Sequence, residues 1–464
     1  MAVQLFFMWR GKASIMEKVS LKTALGIVSV ALVAFSGIMA ETAMNVTFPV
    51  LTKVFNTNLN LIQWVTTAYL LAVTVMVTTS AYLTKRFSSR MLWLVSVFIF
   101  IIGTLIAGLA NNIPVLLLGR ILEGISAGIA MPLVFNVVVA TVPHAKIGVW
   151  MGLAALVVSL APSFGPTYGG VLVDTLGWRS IFFILLIAPI LSLILGWRTV
   201  VAIERYPVKQ KFDALAFSLL SIFLIVTLLV VNQLEQGRVN WLLVSIIIVT
   251  LVAFIWRGRH SKQSFLDLKL FTEVKFVALL LPISLYMFVM LGLNLIIPTF
   301  LQEVLHTSSF LAGFSLLPGS LIGAFLNPIF GRVYDLKGAK LPLYVGNWIF
   351  TIVVLIMAIW TQHLALISII MLYIVFIIGR NMAFTGAQTA ALVDVPASEK
   401  SDATAIIHTL QMFMGALGTT VGALLQAKLG GLHGFQIFGY LSIIIAILIL
   451  GLIMLYFNAS KKNA

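Results

Sequence analysis

Four charged side chains stand inside long apolar stretches and are the first candidates for chemistry. They are Glu41, Arg120, Glu123 and Arg380. Ionisable groups are costly in an apolar environment, and those found there mark proton or substrate paths by default. Because such an environment disfavours the charged form of a carboxyl group, Glu41 and Glu123 are candidates to bind and release protons.

Glu41 has a polar neighbour at helical spacing. Asn45 follows four residues later, so both side chains lie on one face of a helix. A carboxylate there can take a proton or accept a cationic ligand, but hardly both at once. The alternative is a carboxylate that merely sits at a helix end near the interface.

The two arginines differ in their surroundings along the chain. Arg120 and Glu123 are three residues apart, close enough to pair on one helix. The pair either neutralises itself, as buried charges usually do, or lets Arg120 relay the protonation state of Glu41 or Glu123. Arg380 has no acid near it in the sequence, so it needs a distant partner or a wet cavity.

The composition indicates that membrane helices must position these four charged residues. The chain has 464 residues, of which 61% are hydrophobic and 9% charged, with a mean hydropathy of +1.12. Soluble domains are about 25% charged, so an ordinary soluble protein is excluded, as is a disordered one. Fourteen membrane helices would use about 310 residues, which leaves no room for a sizeable soluble catalytic domain. The chain contains no cysteine, so disulfides and thiolate chemistry are absent.

Apolar runs between polar breaks predict fourteen membrane helices, and the even number puts both termini on one side. The spans are expected near 21–49, 62–84, 91–110, 114–140, 147–173, 180–202, 212–232, 241–257, 276–302, 309–331, 341–361, 364–392, 402–428 and 435–457. With the N-terminus inside, the 29 Lys and Arg residues divide into 23 inside, 4 outside and 2 embedded. This bias predicts cytoplasmic termini. It also explains the net charge of +15 by contact with anionic lipid, so nucleic-acid binding loses its support.

An internal repeat is visible in the two halves of the chain. Asn45…Pro49 matches Asn294…Pro298 at an offset of 249 residues, and 81–90 matches 331–340 at an offset of 250. Two parallel repeats are the plan of many secondary transporters. We therefore predict an all-α membrane fold of two six-helix bundles with two additional central helices. The predicted divisions are a cytoplasmic tail (1–20), the N-terminal bundle (21–203), a linker with two helices and a cytoplasmic loop (204–275), the C-terminal bundle (276–457) and a second tail (458–464).

Several motifs resemble a known family. The segment Gly331–Gly338 resembles the loop signature of the major facilitator superfamily, and Arg120–Gly124 resembles its fourth-helix motif. Ala161–Gly170 resembles the fifth-helix motif of its antiporters. The segments 41–49, 63–70 and 266–271 are similar to the fourteen-span drug:proton antiporters, with lincomycin-resistance-type exporters as the nearest branch.

Two departures from the family pattern stand out. The first-half loop has Ala81, Lys85 and Ser88 where the superfamily usually has Gly, Asp and Gly. The resemblance also puts Glu41 and Glu123 where the family usually has Asp and Gln. The first departure puts the loop's gating salt bridge in doubt.

With this resemblance we assign candidate roles to three groups of residues. Proton coupling is assigned to Glu41, Arg120 and Glu123. Substrate binding is assigned to Asn45, Trp64, Tyr69, Asn294, Arg380 and Gln388. Gating is assigned to Pro162, Gly165, Pro166, Gly169, Gly170, Gly331, Arg332, Asp335 and Gly338, although small residues and prolines in a helix serve static packing equally well.

The resemblance implies a monomeric, proton-coupled exporter of drugs or other amphipathic compounds in the bacterial plasma membrane, working by alternating access. The alternative is a carrier of the same fold for a specific metabolite or lipid-like molecule. An intramembrane enzyme or a channel is a third class, but neither a catalytic dyad nor a repeated pore ring is visible. The sequence has no phosphate-binding loop and no His-Glu-x-x-His motif, so we expect no cofactor, no metal and no enzymatic activity.

Overall fold

The computed structural model describes residues 19–143, 147–203, 212–233, 240–260, 268–396 and 399–462. Throughout these ranges the regular structure is helical, with no strand. The predicted all-α class is therefore confirmed. Most of the predicted N-terminal tail and part of the predicted cytoplasmic loop lie outside the described residues.

Eight helices of the described residues precede the linker region. They are α1 (Leu21–Asn45), α2 (Phe48–Val54), α3 (Leu59–Arg86), α4 (Ser89–Gly108), α5 (Ile113–Thr141), α6 (Ile147–Thr175), α7 (Arg179–Leu185) and α8 (Ile187–Gly196). The central pair is α9 (Ala214–Gln233) and α10 (Trp241–His260). Asp213 and Arg257 join this pair through an ion pair of 3.1 Å between the Arg Nε and a carboxylate oxygen.

Six helices follow. They are α11 (Val274–Glu303), α12 (Ser309–Phe314), α13 (Leu317–Lys337), α14 (Lys340–Ile359), α15 (Leu366–Val393) and α16 (Lys400–Lys462). A short 3-10 helix, Leu268–Thr272, precedes α11 where the sequence is similar to the family's loop.

Local side chains explain where many helices begin. Five helices start after a Ser or Asn whose side-chain oxygen accepts a hydrogen bond from the backbone N–H three residues later. These caps are Ser20, Asn58, Ser88, Asn112 and Ser308. Such a cap satisfies a backbone donor that has no partner inside the helix.

Twelve segments of the described residues are long and apolar enough to cross a membrane. One of them, Asp402–Ser460, has 59 residues and contains Gly430 with a φ of 76°, a left-handed conformation that favours glycine. At about 1.5 Å per residue it is far longer than the roughly 30 Å hydrocarbon core. The chain is a multi-pass membrane protein, and the count of fourteen spans stays a prediction.

The helices pack as two groups that meet along a few elements. In the first group α5 packs on α3 and α4, and α1 packs on α6; in the second, α11 packs on α16, and α15 packs on α13 and α14. Between the groups, α6 packs on α12 and α13, and α3 packs on α16. The central helix α9 packs beside α3 and α16.

Candidate functional site

The core of the candidate site is a buried ion pair on α5. Arg120 and Glu123 are both 0% exposed, and the Nη1 of Arg120 donates to the Oε2 of Glu123 at 2.5 Å. Thr104 on α4 donates its hydroxyl to the other carboxylate oxygen at 2.8 Å. The Nε of Arg120 donates to the carbonyl of Val65 on α3 at 3.0 Å. The pairing expected from the three-residue spacing is therefore present, and it ties α5 to α3 and α4.

Glycines on α5 allow this arrangement. Gly124 and Gly128 follow Arg120 at one-turn intervals, and a Cβ on either would come within 3.0 Å of the α3 backbone. The two helix backbones therefore approach closely, as small residues allow in membranes. This proximity is what brings the guanidinium of Arg120 within reach of the α3 carbonyl.

Tyr69 on α3 connects the ion pair to α1. Its ring lies 4.4 Å from the Cζ of Arg120, as a cation–π contact. Its hydroxyl group, buried, has no hydrogen-bond partner among the described residues. The α1 residue Gly37, one turn before Glu41, lies against that hydroxyl group.

Glu41 completes this group. It is buried, at 7% exposure, and has no hydrogen-bond or ion-pair partner among the residues the structure describes. The positive charge of Arg120 interacts electrostatically with Glu41. The charges of Glu41 and Arg120 both interact electrostatically with Tyr69. Two carboxyl groups and one guanidinium thus share one buried region. We call Glu41, Tyr69, Arg120 and Glu123 the acidic cluster.

Polar residues continue from the acidic cluster along α1 and α3. Asn45, one turn from Glu41, accepts a hydrogen bond from the hydroxyl of Thr66 at 3.1 Å. Trp64 is half-buried and packs against the hydrophobic core. Gln63, which the sequence did not single out for a role of its own, is 1% exposed, and neither atom of its amide finds a partner within the described ranges.

Residues 161–170, which resemble the family's fifth-helix motif and lie on α6, pack between the two halves. A Cβ on Gly165 would overlap the hydroxyl of Thr42, and one on Gly169 would overlap the carbonyl of Ala43. These two glycines therefore allow α6 to pack closely against α1 at the residues that directly follow Glu41.

The other side of the motif faces the C-terminal half. Gly170 packs against the backbone of Ser309, and the carbonyl of Pro166 packs against Gly313. Pro162 precedes Pro166 by one turn within α6. The motif residues thus pack against α1 on one side and against the C-terminal half on the other.

The same end of the bundle carries polar contacts between the halves. We call it the first-loop end, because residues 46–58, which include the short helix α2, connect α1 to α3 there. A carboxylate oxygen of Asp174 accepts the backbone N–H of Phe310 at 2.8 Å. Gln302 donates its amide to the carbonyl of Val46 at 3.4 Å. The halves are closed against each other at this end.

Arg380 on α15 is the charged centre of the second half. It is 5% exposed, and its guanidinium donates to the side chain of Asn381 at 2.9 Å and to the sulfur of Met287 at 2.8 Å. Its Cζ lies 4.0 Å from the ring centre of Phe384. Within the described residues its Nε has no hydrogen-bond partner, and no carboxylate lies within ion-pair distance. Gln388, two turns further along α15, is half-buried.

Two tyrosines that sequence reasoning missed surround this region. Tyr373 donates to the side-chain oxygen of Asn294 at 2.8 Å, and Tyr286 donates to that of Asn347 at 2.8 Å. Both tyrosine rings are within the electrostatic reach of Arg380. The available signal was the spacing, since Tyr373 precedes Arg380 by seven residues, about two turns on one face.

The loop motif of the second half ends α13. Gly338 has a φ of 71° and follows the last residue of the helix, where glycine is favoured. Gly331 is half-buried with nothing within 4 Å of an added Cβ, so no close helix contact requires a glycine there. Arg332 is exposed, and the Asp335 side chain lies outside the description.

The sequence matches the Major Facilitator Superfamily over residues 30–419. The chain belongs to the major facilitator superfamily. Superfamily members are carriers, so this chain is a carrier and not an enzyme. The sequence-based resemblance is thereby confirmed at the family level.

Relatives within the superfamily carry several kinds of name. The lincomycin resistance protein LmrB of Bacillus subtilis (strain 168) is 33% identical over 88% of this chain and 86% of its own. The multidrug resistance protein Stp of Mycobacterium tuberculosis (strain CDC 1551 / Oshkosh) is 29% identical over 82% and 70%. The riboflavin transporter RibZ of Clostridioides difficile (strain 630) is 27% identical over 83% and 84%.

Solved structures agree on the fold. A POT family transporter in complex with 5-aminolevulinic acid superposes with a TM-score of 0.69 at 15% identity, covering 92% of this chain and 95% of its own. This likeness supports the major facilitator fold alone.

Proposed function

We propose that this carrier is a proton-coupled exporter of hydrophobic or amphipathic small molecules, antibiotics among them, that works by alternating access. Relatives named for lincomycin and multidrug resistance support the substrate class. The acidic cluster supports the coupling to protons. We further propose that both termini are cytoplasmic, which the distribution of Lys and Arg supports.

The observation that carries the proposal is a buried carboxyl group without a partner of its own. Glu41 shares the field of Arg120 with Glu123, which already holds the ion pair. With both carboxyl groups ionised, the acidic cluster carries one excess negative charge in an apolar interior. One proton neutralises it, and burying an uncompensated charge is costly enough to favour that uptake.

The coupling follows from competition between a proton and a substrate for Glu41. An ionised Glu41 can hold a cationic or hydrogen-bonding group of a substrate, with Asn45 one turn away. Protonation removes this charge and releases that group, while Arg120 stays paired with Glu123. Loss of the proton on the opposite side of the membrane restores the site.

The inter-half contacts give alternating access a structural basis. The closed first-loop end is the outer end in the proposed orientation, and the α1 residues that meet the packed glycines of α6, Thr42 and Ala43, directly follow Glu41 in the chain. A change in charge at Glu41 therefore acts directly beside the α1–α6 contact that closes this end.

A specific metabolite carrier is the second candidate function. The riboflavin transporter among the relatives favours it. The two candidates differ in breadth, because an exporter of the first kind transports several unrelated amphipathic compounds. Efflux of lincomycin, ethidium and riboflavin measured side by side distinguishes them, and transport of riboflavin alone would establish the second.

Glu41→Gln tests the proton-coupled mechanism. Glutamine is nearly the size of protonated glutamate and cannot release a proton. We expect pH-gradient-driven efflux from proteoliposomes to be abolished, while binding of a neutral compound in detergent persists. Glu41→Asp keeps the ionisable group and should retain partial efflux.

Glu273→Gln is the matched control, because Glu273 is an exposed carboxylate at the start of α11. It should transport like the wild type. Wild-type efflux by Glu41→Gln would remove this residue from the mechanism. If instead Glu123→Gln alone abolished efflux, and Glu41→Gln only changed the preference among compounds, the coupling group would be Glu123.

A further inference from the structure

Arg380 is a buried cation with no acid to balance it. The acidic residues of the C-terminal half all lie at helix ends or between helices: Glu273, Glu303, Asp335, Asp394, Glu399 and Asp402. Asp394 directly follows the last residue of α15 and lies fourteen residues after Arg380, about 21 Å along the helix axis. The first half of the chain, by contrast, supplies Arg120 with a carboxylate on the next turn of its own helix.

The groups that do contact Arg380 satisfy it poorly. One amino group of the guanidinium donates to a thioether sulfur, which is a weak acceptor, and another donates to the amide oxygen of the neighbouring Asn381. The Nε has no acceptor among the described residues. A buried charge held only by neutral groups is costly, so its position is better explained by a ligand than by stability.

The same face of α15 becomes more exposed beyond Arg380. Phe384 and Gln388 follow at one-turn intervals and are half-buried, whereas Arg380 is 5% exposed. The ring of Phe384 covers the guanidinium at 4.0 Å. An aromatic ring next to a cation suits a molecule that has both an apolar body and a charged end.

We propose that Arg380 binds an anionic group, a carboxylate in the simplest case, on those transported amphipathic molecules that carry one. This proposal rests on the proposed function, because it assigns a chemical class to the substrates. A guanidinium forms two parallel hydrogen bonds with a carboxylate, and its free Nε is one of the donors that this geometry uses. The carrier thus places a cation for the substrate in one half and the proton-exchanging carboxyl group in the other.

Binding of a matched set of fluorescent probes tests the proposal. The probes are dansylaminoundecanoic acid, its methyl ester and the cationic dansylcadaverine, titrated into purified protein in neutral detergent at one pH. Wild-type protein should bind the acid about 10- to 100-fold more tightly than the ester, as a charge-assisted hydrogen-bonded pair implies. Arg380→Gln should lose this preference while its affinity for the ester stays the same.

Two further variants separate recognition from structure. Arg380→Lys keeps the positive charge but lacks the paired N–H donors of the guanidinium, so it should keep a smaller preference for the acid. Lys53→Gln removes an exposed positive charge near the first-loop end and should behave like the wild type. An equal loss of acid and ester binding in Arg380→Gln would show that Arg380 only supports the fold, and would overturn the proposal.

Equal affinity of the wild type for acid and ester would also overturn it, as would a loss of dansylcadaverine binding in Arg380→Gln as large as its loss of acid binding. These titrations involve neither a proton gradient nor transport. A preference for the acid together with full efflux by Glu41→Gln would therefore refute the coupling mechanism and leave the role of Arg380 standing. If the wild type exports lincomycin but binds none of the probes, this proposal is wrong and the proposed function stands.

Discussion

Replacing Glu123 by glutamine tests whether Glu41 and Glu123 share one guanidinium. The substitution removes the charge that pairs with Arg120 at 2.5 Å but keeps an oxygen that can accept from Thr104. Breaking a buried ion pair by removing one partner typically costs about 3–5 kcal/mol. Glu41 remains in the same buried region and offers a second carboxylate, so we expect a loss of only about 1–2 kcal/mol for Glu123→Gln alone.

The double variant gives the decisive number. Glu41→Gln alone leaves the Arg120–Glu123 pair intact and should change the free energy of unfolding by less than about 1 kcal/mol. With both carboxylates replaced, Arg120 is left as an uncompensated buried cation, and the full cost of about 3–5 kcal/mol is expected. The coupling energy between the two substitutions is therefore about 2 kcal/mol, within the usual range for residues of one network.

The assay is unfolding by sodium dodecyl sulfate in mixed micelles, followed by tryptophan fluorescence, for the wild type, both single variants and the double variant. Glu273→Gln, at an exposed site, is the control and should be neutral. Additivity of the two single effects within about 0.5 kcal/mol would refute the idea that Glu41 shares Arg120. Glu41 would then have to exchange protons independently of the ion pair.

Two other predictions concern closure and orientation. Gly165→Ala should destabilise the closed first-loop end by about 1–3 kcal/mol, because the added methyl group overlaps Thr42. A thiol reagent should then react faster with a cysteine at Ser309, which is buried at this contact. Gly451→Ala, with nothing within 4 Å, should leave that rate unchanged, and equal rates in all three proteins would contradict the packing argument. In intact cells, a thiol reagent that cannot cross the membrane should label a cysteine at Arg238 but not one at Lys85. The cysteine at Lys85 should be labelled only when the reagent reaches the cytoplasmic side. Labelling of both from one side would refute the proposed topology.

Much of the fold was predictable because its causes are local. A membrane helix needs about 20 apolar residues in a row, and this property is read directly from the chain. Helix starts are set by side chains such as Asn58 and Asn112, which bond backbone groups three residues away. The Arg120–Glu123 pair was predictable for the same reason, since three residues along a helix bring two side chains together.

The repeat shows where local reasoning ends. Asn45 and Asn294 occupy equivalent places in the two halves, yet Asn45 accepts from Thr66 and Asn294 accepts from Tyr373. The second partner comes from a helix 79 residues away along the chain. Equal positions in a repeat predict equal helices, but the partners of their side chains depend on which other helices pack there.

The sequence by itself determined the all-helical membrane class, the family and the identity of the embedded charges. Only the tertiary structure decided that Tyr69 lies on Arg120, that Glu41 has no partner of its own, and that the α6 motif is packed between the halves. The physical reason is the range of the interactions. Apolarity, capping and spacing act within a few residues, whereas the balance of a buried charge depends on side chains that only helix packing brings within a few ångströms.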